Sequence, residues 1–323
     1  MTDDLPAAVD VIVIGGGPAG LSAATWLGQY QRSTLVIDAG QQRNLAADEI
    51  HGTLGPGPNT PRRFYTEARD SLKRYAHVQL HNGTVTALRQ KSSDDFVVTV
   101  DGAKVRAKRI VLATGVRDRL PQVEGIQKHY GTDVHHCAAC DGYAARGRTV
   151  IVLSNGEQAA AYASELLDWA AKVRVVTETA GDPLFGEQQR NVCAEHDIEV
   201  VDGIAQALMG DPGALTGVRL ADGRVVEGDK VFFSYAHQPT NNLAQQLGCE
   251  LDHESEIVVD AMQLSSVDGV YAAGDITAGL QLIPIAVGKG AAAGVACATS
   301  LRGHSTTCAA PDPAPPAQQF TGS

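Results

Sequence analysis

Two cysteines separated by two residues, Cys137 and Cys140, are the residues of this sequence best suited to redox chemistry. Because one helical turn or tight loop can bring their sulfurs together, this spacing allows a short disulfide. If that loop begins a helix, the positive helix end favours thiolate over thiol, so the pair exchanges readily with other disulfides. Asp141, directly after the second sulfur, is a candidate proton carrier for that exchange.

Half of a zinc site is the alternative interpretation of this pair. A structural zinc site needs a second pair of ligands at metal-like spacing. His135 and His136 are a poor second pair, because neighbouring side chains diverge, and we treat both as proton relays or packing residues. The remaining cysteines are isolated along the chain: Cys193, Cys249, Cys297 and Cys308. We therefore predict a redox disulfide, no metal site, and four further thiols without chemistry.

A nucleotide-binding turn is predicted near the N-terminus. A buried strand over residues 9–14 leads into Gly15, Gly17, Pro18, Ala19 and Gly20, with a helix to about residue 30 and a second strand over 33–37. The first glycine allows the tight turn, the second lets a pyrophosphate approach the backbone, and the third lets helix and strand pack closely. Phosphates then lie on a helix N-terminus, and Asp38 is placed to bind a ribose hydroxyl.

The same pattern begins again after the cysteine pair. Strands predicted over 149–153 and 173–176 flank a turn and helix, so the chain contains an internal repeat. Ser154 stands where the tight-turn glycine belongs in this second copy. After the following strand come Thr177, Glu178 and Thr179, with no arginine among them to hold a 2′-phosphate.

Composition limits the class of protein. The chain has 323 residues, 44% of them hydrophobic and 20% charged, and a formal net charge of −11 at pH 7. This length suits two globular domains, and the acidic balance disfavours a nucleic-acid partner. Because we find neither an unbroken apolar run of about 18 residues nor a basic leader, we predict no membrane span and a cytoplasmic location. In that reducing compartment a Cys-x-x-Cys pair is typically catalytic.

The rest of the chain supplies connecting elements. A Gly- and Pro-rich loop containing Arg43, Asn44 and His51 follows the first repeat, and a helix is predicted over 62–75. Two or three alternating strands over 78–100 have the pattern of a small antiparallel insertion. Further strands are predicted over 110–115, 230–235 and 270–273, an Ala/Gly-rich helix over 285–301, and a mobile tail over 303–323. Phe320 could fold over a flavin, but a dangling tail is the better interpretation.

Four blocks in order resemble the low-molecular-weight thioredoxin reductases, which are class II pyridine nucleotide-disulfide oxidoreductases. The blocks are residues 15–20, 113–115, 137–142 and 269–275. The resemblance covers about residues 9–302 and implies an α/β fold with two Rossmann-like, three-layer ββα domains. It implies an FAD domain over 1–115 and 242–302, a middle domain with the cysteine pair over 116–241, and a homodimer.

The resemblance also implies roles for individual residues. Cys140 would lie nearest the flavin, Cys137 would exchange with the partner, and Asp141 would serve as acid or base, with His136 beside them. Gly274 and Asp275 would hold the ribityl chain and pyrophosphate. The remaining positions implied to contact FAD are Gly15, Gly17, Pro18, Ala19, Gly20, Asp38, Ala39, Arg43, Asn44, His51, Val85, Ala113, Thr114, Gly115, Gln281, Leu282 and Ile283.

Several departures from the family pattern concern NADPH. The middle-domain glycine motif reads Ser154-x-Gly156-x-x-Ala159, the basic cluster is replaced around Glu178, and the family's Arg-Gln reads Gln281-Leu282. These departures, with Arg43-Asn44, His51-Gly52 and His136, are similar to a branch containing dithiol oxidases and pyridine-nucleotide-independent reductases. Such proteins use ferredoxin or another electron donor, and some hold a second flavin. Here a second nucleotide would contact Asn155, Gly156, Glu157 and Glu178.

We therefore predict an FAD-dependent disulfide or dithiol oxidoreductase that exchanges electrons between flavin and the cysteine pair without NADPH. Its partner would be a thioredoxin-like protein or a small dithiol or disulfide, with ferredoxin or oxygen as the electron partner. One alternative is a nicotinamide-linked enzyme, for which Glu178 could bind an NADH ribose. Another is a non-enzymatic, redox-sensing flavoprotein whose middle domain binds a different ligand.

Overall fold

The computed structural model describes residues 5–55, 59–154, 156, 158–178, 185–233 and 237–302, without the Glu178 side chain. The described strands are β1 (Ala8–Ile14), β2 (Thr34–Asp38), β3 (Val78–Asn82), β4 (Val85–Ser92), β5 (Asp95–Val100), β6 (Ala103–Leu112), β7 (Val116–Asp118), β8 (Val134–His135), β9 (Thr149–Leu153), β10 (Lys172–Glu178), β11 (Glu199–Asp211), β12 (Ala214–Leu220), β13 (Val225–Glu227), β14 (Lys230–Phe233), β15 (His237–Pro239) and β16 (Val270–Ala272). The α-helices are α1 (Pro18–Gln29), α2 (Pro61–Leu72), α3 (Ile126–His129), α4 (Ala138–Asp141), α5 (Ala159–Leu166), α6 (Glu187–Glu195), α7 (Asn242–Leu247) and α8 (Ile283–Ser300).

The chain divides into two compact units, each made from separate stretches of sequence. The first unit is made from residues 1–40, 68–115 and 240–323, and the second from 41–67 and 116–239, with the described residues of each range carrying the structure. Each unit has its own central sheet and core. The expected mobile tail, Phe320 and Cys308 lie outside the described residues.

The sheet of the first unit has the order β3-β2-β1-β6-β5-β4, with β16 also paired to β6. Strands β1, β2, β3, β6 and β16 run parallel, whereas β4, β5 and β6 form an antiparallel meander. Long β6 joins both parts: its first half pairs with β5 and its second half with β16. The strand ends that follow β1, β2, β6 and β16 therefore converge at one edge of the parallel sheet, where a ligand binds in open α/β sheets.

Helix α8 packs closely along α1 in the first unit. A Cβ added at Gly290 would lie 2.1 Å from the Ala19 carbonyl oxygen, and one at Gly294 would lie 2.6 Å from that of Ala23. The small residues are thus required by the close approach of two backbones. By length and composition α8 could also cross a membrane, with 39% of its window buried, but the core helix of a folded domain passes the same test.

The second unit repeats the architecture with the order β13-β12-β11-β10-β9-β14-β8. Strands β8, β9, β10, β11 and β14 are parallel, and β11, β12 and β13 form the antiparallel part. Short strands β7 and β15 pair with each other in the same unit. The α/β fold class with two Rossmann-like units, which the resemblance implied, is confirmed.

Two local expectations differ from the structure. Strand β3 is not part of an antiparallel insertion, because it pairs in parallel with β2 and extends the main sheet. Residues 41–67 group with the second unit, whereas we expected them in the FAD domain. The reason is local contact: Arg43 pairs with Asp118, and the Asp48 amide donates to the Gly131 carbonyl at 3.4 Å. The assignment of a ligand to each predicted domain stays a prediction.

Candidate functional site

The glycine turn of the first unit is built by backbone approaches that exclude a side chain. Gly15 has φ of +114°, and a Cβ there would lie 2.1 Å from the carbonyl oxygen of Ala113. A Cβ at Gly20 would lie 1.9 Å from the carbonyl oxygen of Gly15. These two glycines are therefore required by the fold itself, by the left-handed backbone in one case and by helix–strand packing in the other.

Gly17 differs, because no contact with the described residues requires a glycine there. Its backbone is extended, with φ of −78° and ψ of −175°, and it precedes Pro18 at the start of α1. A Cβ added at Gly17 would meet no atom within 4 Å. The open space above the N-terminus of α1 is what a pyrophosphate needs in order to reach backbone amides. The residues present therefore fit a dinucleotide at this turn.

Asp38 ends β2 beside this turn and is buried. Its carboxylate accepts a hydrogen bond from Arg69 Nη1 at 2.6 Å and one from the Gly40 amide at 2.9 Å. A Cβ at Gly16 would lie 2.3 Å from the Asp38 Cγ, so the carboxylate lies directly against the glycine turn. Ala39, which follows it, is exposed. Arg69 was not singled out from the sequence, because it lies 31 residues away on α2.

Residues 113–115 form the adjoining strand end. The Ala113 amide donates to the Ile14 carbonyl at 2.8 Å, which ties this segment to the glycine turn. Thr114 Oγ1 donates to the Thr240 carbonyl at 2.7 Å, and the Thr240 amide donates to the Gly115 carbonyl at 2.9 Å. Gly115 has φ of +62°, a conformation that favours glycine. The two bonds with Thr240 connect the second and third chain segments of the first unit at this strand end.

The turn after β16 approaches the same glycine turn. A Cβ at Gly274, whose φ is +86°, would lie 2.8 Å from the Cβ of Ala19. Lys289 on α8 holds this turn through three carbonyls: Nζ donates to that of Gly274 at 3.5 Å, of Thr277 at 3.0 Å and of Ala278 at 2.8 Å. Burial lowers the pKa of Lys289, and the charge of neighbouring Asp275 opposes that shift. Lys289 was missed from the sequence, because a lysine inside an Ala/Gly-rich helix has no motif around it.

Four predicted cofactor contacts lie at the start of α8 or in β4, rather than in the glycine turn or the strand ends described above. Gln281 and Leu282 precede α8, with Leu282 as its N-cap residue, and Ile283 is its first residue. Val85 begins β4 and packs, partly buried, against the core of the first unit. None of these side chains is given a role by its contacts alone.

The cysteine pair forms a disulfide between Cys137 and Cys140, with the Cα atoms 5.2 Å apart. Cys137 is the N-cap of the one-turn helix α4, and the amide of Cys140 donates to its sulfur at 3.1 Å. A backbone N–H directed at sulfur stabilises a thiolate there when the disulfide opens. This supports Cys137 as a stabilised thiolate in the reduced pair.

Asp141 and His135 lie together beside the disulfide. His135 Nδ1 is 3.5 Å from Asp141 Oδ2, and His135 is buried. The imidazole packs on Phe232 of β14, with ring centroids 5.2 Å apart. An aspartate next to a histidine can store and release a proton close to the sulfurs. The structure thus pairs Asp141, the residue after Cys140, with a buried histidine.

His136 belongs to a different cluster, which the sequence did not predict. Its Nδ1 lies 3.0 Å from the Tyr130 hydroxyl, and that hydroxyl donates to Asp118 Oδ2 at 2.7 Å. Arg43 donates from Nε to both Asp118 oxygens, at 3.0 and 2.8 Å, and from Nη2 to Oδ1. Phe233 stacks near both rings, with centroids 6.1 Å from Tyr130 and 6.2 Å from His136.

Burial is the largest influence on the pKa values of His136, Asp118 and Tyr130 in this cluster. Burial, followed by the charge of Arg43, lowers the pKa of His136 to about 4. Burial alone would raise the pKa of Asp118, but the hydrogen bond of Arg43 and the charge of His136 hold it below its usual value. Burial and the Asp118 charge raise the pKa of Tyr130. At neutral pH the cluster therefore contains a neutral imidazole, an ionised carboxylate and a protonated phenol.

Asn44 and His51, predicted as cofactor contacts, lie in the second unit with Arg43. Asn44 Oδ1 accepts from the Tyr65 hydroxyl at 2.7 Å, whereas its Nδ2 is buried without a partner among the described residues. A buried amide donor without a partner is costly, and a bound ligand oxygen would satisfy it. His51 is partly exposed and lies 3.9 Å from Glu49.

The second glycine turn is closed by a side chain. Ser154 is fully buried, and its Oγ accepts a hydrogen bond from the Gly156 amide at 3.3 Å. In an open Rossmann turn that amide would face a phosphate. Asn155 and Glu157, the neighbouring positions predicted to contact a second nucleotide, lie outside the described residues.

The strand end beside this turn is also occupied. Thr177 Oγ1 lies 3.4 Å from Asp202 Oδ1, and Arg190 on α6 forms an ion pair with Asp202. The Arg190 hydrogen bond lowers the pKa of Asp202. The sequence prediction missed Arg190, because it lies 13 positions after Thr177, on the following helix. The Glu178 side chain and Thr179 lie outside the described residues.

Three other cysteines are buried free thiols: Cys193, Cys249 and Cys297. Burial raises the pKa of each, to about 12 for Cys297, which suppresses thiolate chemistry. In the part of the chain that the structure describes, no three His, Cys, Asp or Glu side chains are grouped for a metal ion.

Comparison with known proteins places these features in context. The sequence profile of the pyridine nucleotide-disulphide oxidoreductase family matches residues 9–290. Thioredoxin reductase tcpT of Claviceps purpurea is 30% identical over 304 residues, covering 91% of this chain and 94% of that protein. A crystal structure of HlmI is 29% identical, with a TM-score of 0.86, covering 93% of this chain and 95% of that chain. The putative thioredoxin reductase TrxB from Bacillus anthracis is 26% identical, with a TM-score of 0.85 and coverage of 91% and 98%.

Proposed function

The chain belongs to the pyridine nucleotide-disulphide oxidoreductase family, and we propose that it exchanges electrons between FAD and the Cys137–Cys140 disulfide but, in a departure from the family pattern, does so without NADPH. Its relatives make it a flavin-dependent disulfide oxidoreductase of the thioredoxin reductase type. The observation that supports the NADPH-independent part is the second glycine turn, where the Ser154 hydroxyl accepts a hydrogen bond from the Gly156 amide.

The charge at the second turn supports the same proposal. NADPH differs from NADH by a 2′-phosphate, which such enzymes usually bind with arginine. Arg190 is already paired with Asp202, and a phosphate approaching it would also approach that carboxylate. A dinucleotide would therefore have to displace one internal hydrogen bond at the turn and one ion pair at the strand end.

The first unit supplies the cofactor site in this proposal. The amides around Gly17 and the N-terminus of α1 would hold the FAD pyrophosphate, Asp38 the ribose, and the Gly274–Ala278 turn the ribityl chain. Bound FAD supplies two-electron redox chemistry.

Thiol–disulfide exchange is the chemistry of the chain's own side chains. An incoming thiolate attacks Cys137, a new disulfide bond forms, and the Cys137–Cys140 bond breaks with its electron pair leaving on Cys140. In the reduced protein the Cys137 thiolate, stabilised by the Cys140 amide, attacks a partner disulfide and displaces one of its sulfurs as a thiolate. Cys140 then attacks Cys137 in the resulting mixed disulfide, which re-forms the Cys137–Cys140 bond and releases the second partner thiolate. In this proposal Asp141 with His135, and separately His136, take or return the thiol proton, which the His135–Asp141 and His136–Tyr130 contacts support.

The substrate class follows from this chemistry. The partner would be a thioredoxin-like protein or a small dithiol or disulfide, with ferredoxin or oxygen on the other side of the flavin. A homodimer and a cytoplasmic location are further parts of the proposal, and the count of FAD per chain given below tests whether the second unit holds a second FAD. Disulfide reduction and dithiol oxidation are the same exchange run in opposite directions, and the donor experiment below separates them.

Anaerobic mixing of the FAD-loaded protein with NADPH, NADH, reduced ferredoxin and dithiothreitol in parallel tests the proposal. We expect the flavin absorption band to bleach with the dithiol or with ferredoxin and to persist with excess NADPH. Cys140→Ser should abolish bleaching by the dithiol while retaining FAD. Rapid bleaching by NADPH would refute the NADPH-independent part, and bleaching by NADH alone would establish a nicotinamide-linked enzyme.

A non-enzymatic, redox-sensing role is separated by two measurements. Counting FAD released per chain after denaturation distinguishes one flavin from two. The second measurement is the cellular function of cysteine variants. If none of the four reductants bleaches the flavin and these variants keep full function, the sensing role replaces the enzymatic one.

A further inference from the structure

The cluster that begins at Arg43 and ends at His136 has a fixed direction of hydrogen bonding. Arg43 has only donors, and it directs them at both oxygens of Asp118. Asp118 is ionised at neutral pH, so its oxygens only accept. The single phenolic proton of Tyr130 must therefore be donated to Asp118 Oδ2, 2.7 Å away.

Because Tyr130 donates its proton to Asp118, the hydrogen bond between Tyr130 and His136 can run in only one direction. Tyr130 has no second proton, so its oxygen must accept at the 3.0 Å contact with His136 Nδ1. The imidazole is neutral at pH 7, and it carries its one proton on the nitrogen that donates. His136 is therefore protonated on Nδ1, and its Nε2 is left with a lone pair.

We infer that Asp118 and Tyr130 are positioning residues that hold His136 as the Nδ1–H tautomer, so that Nε2 is the proton acceptor for thiol exchange at Cys137. His136 precedes Cys137 directly in the chain, and 26% of its side chain is exposed. The inferred step rests on the proposed function. An attacking thiol gives its proton to Nε2, its sulfur bonds to Cys137, and the broken disulfide's electron pair leaves on Cys140.

The aromatic packing supports a fixed ring rather than a freely turning one. Phe233 of β14 lies against both Tyr130 and His136, and the two rings lie 6.0 Å apart with a tilt of 34°. A ring flip of His136 would remove Nδ1 from Tyr130 and leave the phenolic oxygen with one partner fewer. Among the described residues, the charged and titratable groups around this imidazole are Arg43, Asp118, Tyr130, His135 and Asp141.

The test is the tautomer itself, read from the ¹⁵N chemical shifts of His136 in the FAD-loaded full-length protein with labelled histidine. His136→Gln assigns the signal. We expect protonated Nδ1 and unprotonated Nε2 in the wild type at pH 7. Arg43 bonds Asp118 Oδ1 from both Nε and Nη2, so in Asp118→Asn we expect the amide oxygen at the Oδ1 position and the amide N–H₂ at the Oδ2 position, facing Tyr130. Tyr130 then donates to His136, and the proton should move to Nε2.

Exchange kinetics complete the test. With the proton on the wrong nitrogen, thiol-dependent flavin bleaching should slow by about 100-fold to 10,000-fold in Asp118→Asn. Tyr130→Phe is the second variant if Asp118→Asn does not fold, and it should slow the reaction and show mixed tautomers. Tyr75→Phe, a tyrosine of the first unit bonded to Gln29, is the matched control and should change neither measurement.

Two results would overturn the inference. One is a wild-type His136 protonated on Nε2, and the other is an Asp118→Asn protein with the shifted proton and an unchanged exchange rate. Both are distinguishable from failure of the proposed function. Bleaching by NADPH would remove the NADPH-independent part of that proposal and leave the tautomer result unaffected.

Discussion

The two glycine-type turns begin with the same hydrogen bond and then diverge. The Gly15 amide donates to the Ile37 carbonyl at 2.8 Å, and the Ser154 amide donates to the Val176 carbonyl at 3.0 Å. After Gly15 the turn leaves an open approach to the helix N-terminus. In the second unit the Ser154 hydroxyl instead accepts from the Gly156 amide.

The difference shows how a nucleotide fold can keep its architecture while its binding edge changes. A Rossmann turn binds phosphate with backbone donors, so one hydroxyl that accepts from those donors competes directly with the ligand. The strand order around each turn remains comparable in both units. The first unit thus offers backbone to a ligand, whereas the second uses side chains and carries the disulfide with its titratable cluster.

The largest expected effect is that of Gly15→Ala on folding. The positive φ and the 2.1 Å approach to the Ala113 oxygen both oppose a methyl group, so we expect at least about 3 kcal/mol of destabilisation. Urea unfolding of the FAD-free protein measures it. Gly102→Ala is the control, because Gly102 has φ of +87° with open space around its Cβ position. An equal loss in both variants would show that backbone strain alone, without the close approach, explains Gly15.

Gly17→Ala should break the first turn's function without breaking its fold. The extended backbone accepts alanine, so unfolding should be unchanged, whereas the methyl would occupy the space predicted for pyrophosphate. Losing a hydrogen bond to a charged group costs about 1.5–3 kcal/mol, which predicts FAD binding weaker by about 10-fold to 100-fold. Fluorescence titration of the apoprotein with FAD measures this. Gly288→Ala, another glycine with open space, is the control, and unchanged affinity in Gly17→Ala would place the cofactor elsewhere.

Lys289→Met tests the part of the first site that is held by a side chain. The variant removes a cation that bonds three carbonyls of the turn after β16, so we expect about tenfold weaker FAD binding. Lys289→Arg should recover part of the affinity. Lys104→Met, at an exposed position in β6, controls for the lost charge. If the affinity is the same in both methionine variants, the turn does not depend on Lys289.

The buried His136 cluster should make the stability of the second unit depend on pH, an effect that the backbone of the first glycine turn does not produce. The pKa of His136 is lowered to about 4 in the folded protein, against about 6.5 when unfolded. The unfolded chain therefore binds the extra proton first, so stability is full above about pH 6.5 and falls as the pH drops toward 4. With 26% of the side chain exposed, solvent reduces the effect to about 1–2 kcal/mol. Urea unfolding at several pH values from 7 to 4 measures this loss of stability. His136→Gln should flatten the dependence of the unfolding free energy on pH. If the variant keeps the wild-type slope, the pH dependence comes from other groups.

Sequence reasoning found the parts of each site that local pattern determines. The strand before Gly15, the acid at Asp38 and the cysteine pair follow from spacing within one βαβ unit or one turn. The side chains that it missed come from distant segments: Arg69 reaches Asp38 across 31 positions, and Arg43 reaches Asp118 across 75. Such pairings depend on how elements pack, which periodicity does not encode. The interrupted second motif was visible in the sequence, but the bond that closes it required coordinates.

The smallest expected effect is the one that bears most directly on the comparison. Ser154→Gly removes the hydroxyl that occupies the Gly156 amide and restores the G-x-G-x-x-A pattern. A neutral hydrogen bond is worth about 0.5–1.5 kcal/mol, so NADH binding, followed by calorimetry, should strengthen by only about threefold to tenfold. Ser154→Ala, which frees the amide but keeps a Cβ, should give less. NADPH should gain only when Asp202→Asn is added, because Arg190 then loses its charged partner. If Ser154→Gly alone supported rapid flavin reduction by NADPH, a single hydroxyl would account for the difference between the two turns, and the Arg190–Asp202 pair would have no part in it.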